Sequence, residues 1–317
     1  MRILIAPLNW GLGHATRCIP LIRQYLNEGA DVILGGTGES LQLLRKHFPA
    51  LTSVELAPLA LRYSKGTNQI GAMLRALPQF LRFYRGNRKR VEEIVRTMGI
   101  DMVVADNCFG VFSTHCKSVY MTHQLHICLP QGLKWLEPMG DWLHARLYAH
   151  YDEIWVPDNE TGDVLSGKLG HPSRVDARVK YIGPLSRFSK NNMPRDEKAQ
   201  SEYEIVAVLS GLEPQRTLFE QKIVNRFSDS EKRVLIVRGK TSEPNVRLTH
   251  KHITLVPSMD DETLQKVLYG AELIIARSGY STIMDLWALG LLNKAELHPT
   301  PGQSEQEYLA LLHHSNV

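Results

Sequence analysis

The 317-residue chain reads as two doubly wound α/β units joined by a polar linker. Three observations predict this. Short apolar runs rich in β-branched residues alternate with helical patterns from the first residue onward, which implies parallel sheets with right-handed crossovers. The alternation stops after Tyr181-Ile182-Gly183-Pro184 and restarts at Ile205. The length suits about two domains of ordinary size.

The elements follow in order. Ile3–Leu8 reads as a strand, and Ala15–Glu28 as a helix with Ile19, Ile22, Tyr25 and Leu26 on one face, stopped by Gly29. Next come a strand at Val32–Leu34, a helix near Ser40–His47, and a strand at Ser53–Leu56. A long basic helical stretch leads to strands at Met102–Ala105, Val119–Thr122 and Ile154–Val156. Residues 186–201 are polar and aperiodic, as a linker should be. Beyond it stand strands at Ile205–Leu209, Val234–Val237, Ile253–Val256 and Leu273–Ala276. Helices are expected at Gln215–Phe227, Asp260–Tyr269, Ser281–Leu289 and Glu305–His314. The expected domains are residues 1–184 and 203–317, with 185–202 between them.

Composition narrows the class. No apolar run reaches the roughly 18 residues of a membrane-spanning helix. Ile3–Leu8 is too short for a signal peptide and runs into Asn9-Trp10-Gly11, so a cytosolic protein is expected. Cys18, Cys108, Cys116 and Cys128 are scattered without zinc spacing, and His123-x-x-His126 is the nearest thing to a ligand pair. No metal is therefore expected. The net charge of +4 is local: nine basic residues fall between Arg62 and Arg96, against Glu92 and Glu93.

Gly11-Leu12-Gly13-His14-Ala15-Thr16-Arg17 follows the first strand, where glycines let a ligand approach the backbone at a helix start. Thr16 replaces the third glycine of a dinucleotide fingerprint, and no carboxylate ends the second strand, which disfavours NAD. The second half carries the more specific pattern. Arg277-Ser278-Gly279-Tyr280-Ser281-Thr282 is a strand end, a small-residue turn and a helix start, with Asp285 one turn further in. Such a start suits a diphosphate, and Asp285 suits a ribose diol. Each piece also has a plainer reading: Ser281 as an N-cap, Asp285 as a solvated residue. A further loop, Thr300-Pro301-Gly302-Gln303-Ser304-Glu305-Gln306, opens the last helix.

Arg-Ser-Gly-x-x-Thr-x-x-acidic followed by Gly-x-x-x-Gln resembles the donor half of MurG-type glycosyltransferases, and the glycine loop and two-domain layout extend the resemblance over nearly the whole chain. It implies a GT-B fold, two Rossmann-like domains with a cleft between them. It implies a UDP-sugar-dependent hexosyltransferase acting without a metal or other cofactor. Asp285 stands where the family binds ribose, and Ser278, Gly279, Ser281 and Thr282 where it meets the diphosphate. Gln303, Glu305 and Gln306 fall in the segment that reads the sugar. Ser210-Gly211 matches the small-residue loop below the phosphates, and Arg187 the interdomain arginine. Asn9, Gly11, Gly13, His14, Arg17, Asp106, Asn107, His123 and Gln124 fall on the acceptor side. The chain departs from the family at Glu296 and His298, inside an expected buried strand, and the family's last, crossing-back helix is expected to be missing.

In the implied chemistry His14 is the general base, Asp106 orients it or holds the acceptor, and Arg187, Arg238 and Arg277 are candidates to stabilise the leaving diphosphate. The alternative is a hydrolase: Gly-x-Gly-His-x-x-Arg-Cys also resembles the UDP-sugar hydrolase of pseudaminic acid synthesis. The stretch Arg62–Arg96 interleaves apolar residues such as Leu74, Leu77 and Phe80 with arginines, which suits an anionic membrane surface or a lipid-linked acceptor and gives a peripheral membrane protein. Its plainer reading is a crossover helix with a solvated basic face. Nucleic acid is not expected, since no recognition module accompanies the charge.

Overall fold

The structure, a computed structural model, describes residues 1–59, 69–188, 202–240, 243–244 and 246–314, and the side chains of all of these except 69–76 and 314. Two compact units emerge: Met1–Trp10 with His14–Leu185, and Gly11–Gly13 with Ser186–Val317. Most of the expected linker, residues 189–201, lies outside the described residues.

The first unit holds strands β1 (Arg2–Pro7), β2 (Asp31–Gly36), β3 (Ser53–Glu55), β4 (Met102–Asp106), β5 (Lys117–Met121), β6 (Glu153–Val156) and β7 (Val179–Tyr181). They form one parallel sheet in the order β3-β2-β1-β4-β5-β6-β7. Helices α1 (Gly13–Asn27), α2 (Gly38–His47), α3 (Gln69–Met98) and α4 (Glu137–Leu147) belong to the same stretch of chain. The central strands read as unbroken apolar runs because a parallel sheet is covered on both faces. All of β4 is buried, Asp106 at its carboxyl end included.

In the second unit β8 (Ile205–Val208), β9 (Val234–Val237), β10 (Leu248–His250), β11 (Ile253–Val256), β12 (Leu273–Arg277) and β13 (Ala295–His298) pair in the order β10-β11-β9-β8-β12-β13. Only β10 pairs antiparallel among the described strands. Helices α5 (Gln215–Phe227), α6 (Asp261–Gly270), α7 (Tyr280–Leu289) and α8 (Ser304–His314) accompany them. Phe219, Ile223 and Phe227 of α5 pack on Ile205, Ala207, Val234 and Ile236. Burying each such side chain contributes roughly 1.5–3 kcal/mol.

Two sequence puzzles resolve here. The polar pair in β13 is allowed because β13 is an edge strand. Glu296 and His298, two apart, share one face of the strand: Arg226 pairs with Glu296 at 2.5 Å, and His298 lies 2.7 Å from the same carboxylate and against the Phe219 ring. The basic stretch, for its part, is a crossover helix as far as it is described. Phe83, Val91, Ile94 and Val95 of α3 enter the core, and buried Asn87 accepts from Ala57 N and donates to Phe109 O. Arg88 pairs with Glu92 and lies 4.1 Å from the Phe112 ring centre, and Arg90 pairs with Glu93. Arg82, Arg85 and Lys89 stay exposed, while Arg62 and Lys65 and the side chain of Arg75 fall outside the described residues.

Candidate functional site

Doubly wound sheets bind ligands beyond the carboxyl ends of their strands, where the strand order reverses. In the first sheet that point is the β1/β4 pair, and in the second the β8/β12 pair. The sequence motifs fall at both.

At the first, α1 leaves β1 carrying His14 and Arg17, and β4 ends in Asp106. Asp106 is fully buried, and Arg17 grips it with two donors, Nε on one oxygen at 2.6 Å and Nη2 on the other. Arg17 Nη1 also reaches His123 Nδ1 at 3.1 Å. A guanidinium only donates, so His123 Nδ1 accepts and its ring proton sits on Nε2. His14 Nδ1 lies 3.1 Å from Asp106 Oδ1 and 2.8 Å from Arg17 Nη2. Those two contacts ask for opposite tautomers: the carboxylate needs Nδ1–H, the guanidinium needs a lone pair. With Nδ1–H on Asp106, Nε2 is left as a base.

The electrostatics of this knot are closed. Burial opposes the Asp106 charge, but Arg17 and His14 outweigh it and bring its pKa down to about 2. Burial, then Arg17, hold the His14 pKa below the ordinary histidine value despite the pull of Asp106. His14 is thus neutral at pH 7.

Three acceptor-side residues have structural work. Asn9 accepts from Ser40 N at 3.2 Å and braces the start of α2. Asn107, in the left-handed region at φ 50°, accepts from Tyr120 Oη at 2.9 Å. The Gln124 backbone closes a turn with Thr122. Gly11, at φ 76°, gives the loop a conformation that side-chain-bearing residues seldom adopt, and Gly13 is the first residue of α1.

At the second point β12 ends in Arg277 and α7 begins after Gly279, with no side chain capping its first turn. Arg277 donates to Pro299 O at 2.8 Å and Gln215 O at 3.1 Å, and its guanidinium lies 4.0 Å from the Phe219 ring centre. Among the described residues no carboxylate pairs with it. Burial alone pushes its pKa down to about 10, so it remains a cation at neutral pH. The loop after β8 carries Ser210 and Gly211, the latter at φ 97°.

Several donor-side expectations change in detail. Ser278 is fully buried and its hydroxyl donates to Gln306 O at 2.7 Å, so it ties β12 to α8 and its Oγ is spent. The Gln306 side chain accepts from Thr300 N at 2.8 Å, bracing the Gly302 turn. Arg238 is held between Glu220 at 2.8 Å and Glu243 at 3.2 Å, which neutralises it locally. Asp285 is no solvated residue: it accepts from Ser186 Oγ at 2.6 Å and pairs with Arg187 Nε at 3.3 Å. Arg187 also meets Asp261 at 3.0 Å. Burial raises the Asp285 pKa, with Arg187 and Ser186 opposing it and the Asp261 charge adding to the rise. Two residues read from sequence as separate donor contacts are therefore one ion pair. Ser281 and Thr282 lie in the first turn of α7, and Gln303 and Glu305 at the start of α8, all partly buried.

No family model matches the chain. An uncharacterized glycosyltransferase of Methanosarcina acetivorans is 20% identical over 97% of this chain and 82% of its own length. Among solved structures, the Streptomyces sp. SF2575 glycosyltransferase SsfS6 superposes with a TM-score of 0.58 at 11% identity, covering 99% of this chain and 86% of that one. Acinetobacter baumannii MurG gives 0.52 at 14% identity over 98% and 82%. The chain has the GT-B fold. Its sequence relatives carry the glycosyltransferase name, and its structural neighbours include glycosyltransferases and, at a TM-score of 0.54 and 13% identity over 98% of this chain and 88% of that one, a putative UDP-N-acetylglucosamine 2-epimerase of Listeria monocytogenes. Within this GT-B chain, two features escaped the sequence. Asp158 is fully buried under the backbone N–H groups of Asn159, Leu165 and Ser166, a knot that no local motif announces. Trp135, Met139, Trp142 and Leu143 stand exposed on the short 3-10 turn Gln131–Leu136 and on α4. Their spacing of four, seven and eight residues from Trp135 was the available signal.

Proposed function

We propose that this GT-B chain is a UDP-sugar-dependent hexosyltransferase, with the donor held by the second unit and the base supplied by the first. The observation that carries the reading is Arg277: a buried cation without a carboxylate partner among the described residues, beside the uncapped start of α7. Buried charges are ordinarily compensated. An anionic diphosphate at this helix start would supply the compensation, aided by the helix dipole. Arg277 and the dipole then fill the role that a divalent cation plays in other transferases.

In the reaction, His14 Nε2 takes the proton of the acceptor hydroxyl while Nδ1–H stays on Asp106. The acceptor oxygen bonds to the anomeric carbon, the bond from that carbon to the diphosphate oxygen breaks, and its electron pair leaves on UDP. Asp106 is fixed by Arg17, so the imidazole ring has a rigid partner. Asp285, with Arg187 and Ser186, lies one turn inside α7 as the ribose-side group.

The acceptor in this proposal is lipid-linked. Exposed Arg82, Arg85 and Lys89 on α3, and exposed Trp135 and Trp142, favour peripheral contact with an anionic membrane. Among the described residues no helix is long and apolar enough to cross a membrane. A thermal-shift screen of nucleotides and nucleotide sugars tests the donor, with stabilisation by UDP compounds expected. Mass spectrometry of the best donor then separates the reactions: sugar appearing on an added lipid acceptor supports transfer. Free sugar released without an acceptor, at the same rate with and without lipid, makes the protein the hydrolase instead.

A further inference from the structure

His123 and His126, a candidate pair by spacing, part company in the structure. His123 joins Arg17, whereas His126 turns to a different set of groups. His126 Nδ1 lies 2.8 Å from Asp141 Oδ2, and Asp141 is itself held by Ile127 N at 2.7 Å. A carboxylate only accepts, so Nδ1 carries the ring proton. The other nitrogen, Nε2, then presents its lone pair to Glu137 Oε2 at 3.4 Å. A lone pair and a carboxylate facing each other at this distance are reconciled by a proton or by a metal cation between them. Cys128 completes the group: one ligand atom from each of His126, Cys128 and Glu137 lies within 4.8 Å of the others.

We propose that His126, Cys128 and Glu137 form a zinc site. Zinc takes imidazole, thiolate and carboxylate ligands in tetrahedral geometry. Nitrogen and oxygen ligands at roughly 2.0–2.1 Å from a tetrahedral ion stand about 3.4 Å apart, the separation found here. Asp141 supplies the outer contact that fixes a metal-bound histidine, with the backbone of Ile127 fixing Asp141 in turn. The second Glu137 oxygen accepts from Leu129 N at 3.1 Å, so the carboxylate is anchored to the strand-to-helix loop it would clamp. All three ligands are partly buried, and the remaining coordination position goes to water. Binding deprotonates Cys128 and releases its proton to solvent. The ion would tie residues 126–128 to the first residue of α4, Glu137, and so hold the segment that carries Trp135 and Trp142. Its role is distinct from sugar transfer, and no ligand belongs to the Arg17 or Arg277 groups.

The test uses the full chain, stripped with chelator and reloaded with zinc or cobalt(II). One equivalent of zinc per chain should bind and raise the melting temperature, and cobalt(II) should give a thiolate charge-transfer band. Cys128→Ser should abolish the band, and Asp141→Asn should weaken zinc binding by about 10–100-fold without removing a ligand. Circular dichroism of the unloaded variants checks that they fold. If Cys128→Ser does not fold, the wild-type cobalt band and the Asp141→Asn affinity still decide. Absence of the band in wild type overturns the site, as does undiminished zinc affinity in Asp141→Asn. The reading would then be a protonated His126 bridging two carboxylates. Neither result touches the UDP experiment.

Discussion

Each unit buries an arginine at the point where its strand order reverses, and the two arginines are treated oppositely. Arg17 meets the carboxylate of an ionised Asp106 with two donors and the His123 ring nitrogen with a third. Arg277 meets carbonyl oxygens and a ring face, with no carboxylate among the described residues. Charge closed within the protein makes a rigid support. Charge left open makes a place for an external anion. In our proposal this difference divides the labour, with positioning in the first unit and anion binding in the second.

The largest effect should come from opening the closed side. Asp106→Asn leaves the Arg17 guanidinium buried without its anion, which typically costs about 3–5 kcal/mol. Denaturant unfolding should show this loss. By contrast, Arg277→Met forfeits bonds to two carbonyls and should cost only about 1–3 kcal/mol. It should nonetheless weaken UDP binding by tenfold or more in calorimetry. Equal stability losses at the two sites would erase the distinction.

Asp285→Ala comes next. If Asp285 is the ribose-side group of our proposal, the substitution removes a charge-assisted contact, and UDP affinity should fall by roughly 1.5–3 kcal/mol. Because Arg187 keeps Asp261, the fold should survive. Unchanged affinity would assign the Asp285–Arg187 pair to structure alone.

The pH dependence sharpens the same comparison. Asp106 has a folded pKa of about 2, below its unfolded value near 3.9, so its contribution is present above the unfolded value. It is lost as pH falls through 2, an effect on the order of 2 kcal/mol. His14 also has a depressed folded pKa, so the neutral base persists below pH 6.5. The acid limb of kcat/KM should therefore lie below the ordinary histidine value. A limb at or above pH 6.5 would assign the base elsewhere.

Much of the architecture was legible because parallel strands advertise themselves. Ile205–Val208, Val234–Val237 and Ile253–Val256 are apolar runs, and Gln215–Phe227 has a clear helical period. The strands that escaped, β7 and β10, are short and lie at edges, and the strand expected around Glu296 and His298 proved an edge strand and not a buried one; these features depend on neighbours, not on their own pattern. The candidate site was legible as motifs but not as partners. Nothing local tells that Asp106, 89 positions away, will occupy Arg17, or that Ser278 will spend its hydroxyl on Gln306. Long-range pairing carries no periodic signal, and so residue types at the site were readable while their commitments were not.

The central claim is that base and donor site are separable, and one paired measurement on His14→Ala tests it most directly. Turnover and UDP affinity are determined on the same preparation, with the melting temperature as a check. The account predicts turnover reduced by roughly a hundredfold or more. UDP affinity should stay within about twofold of wild type, since our proposal assigns the donor groups to the second unit. Loss of UDP binding together with turnover, at a lowered melting temperature, would make His14 a structural residue and contradict the division of labour.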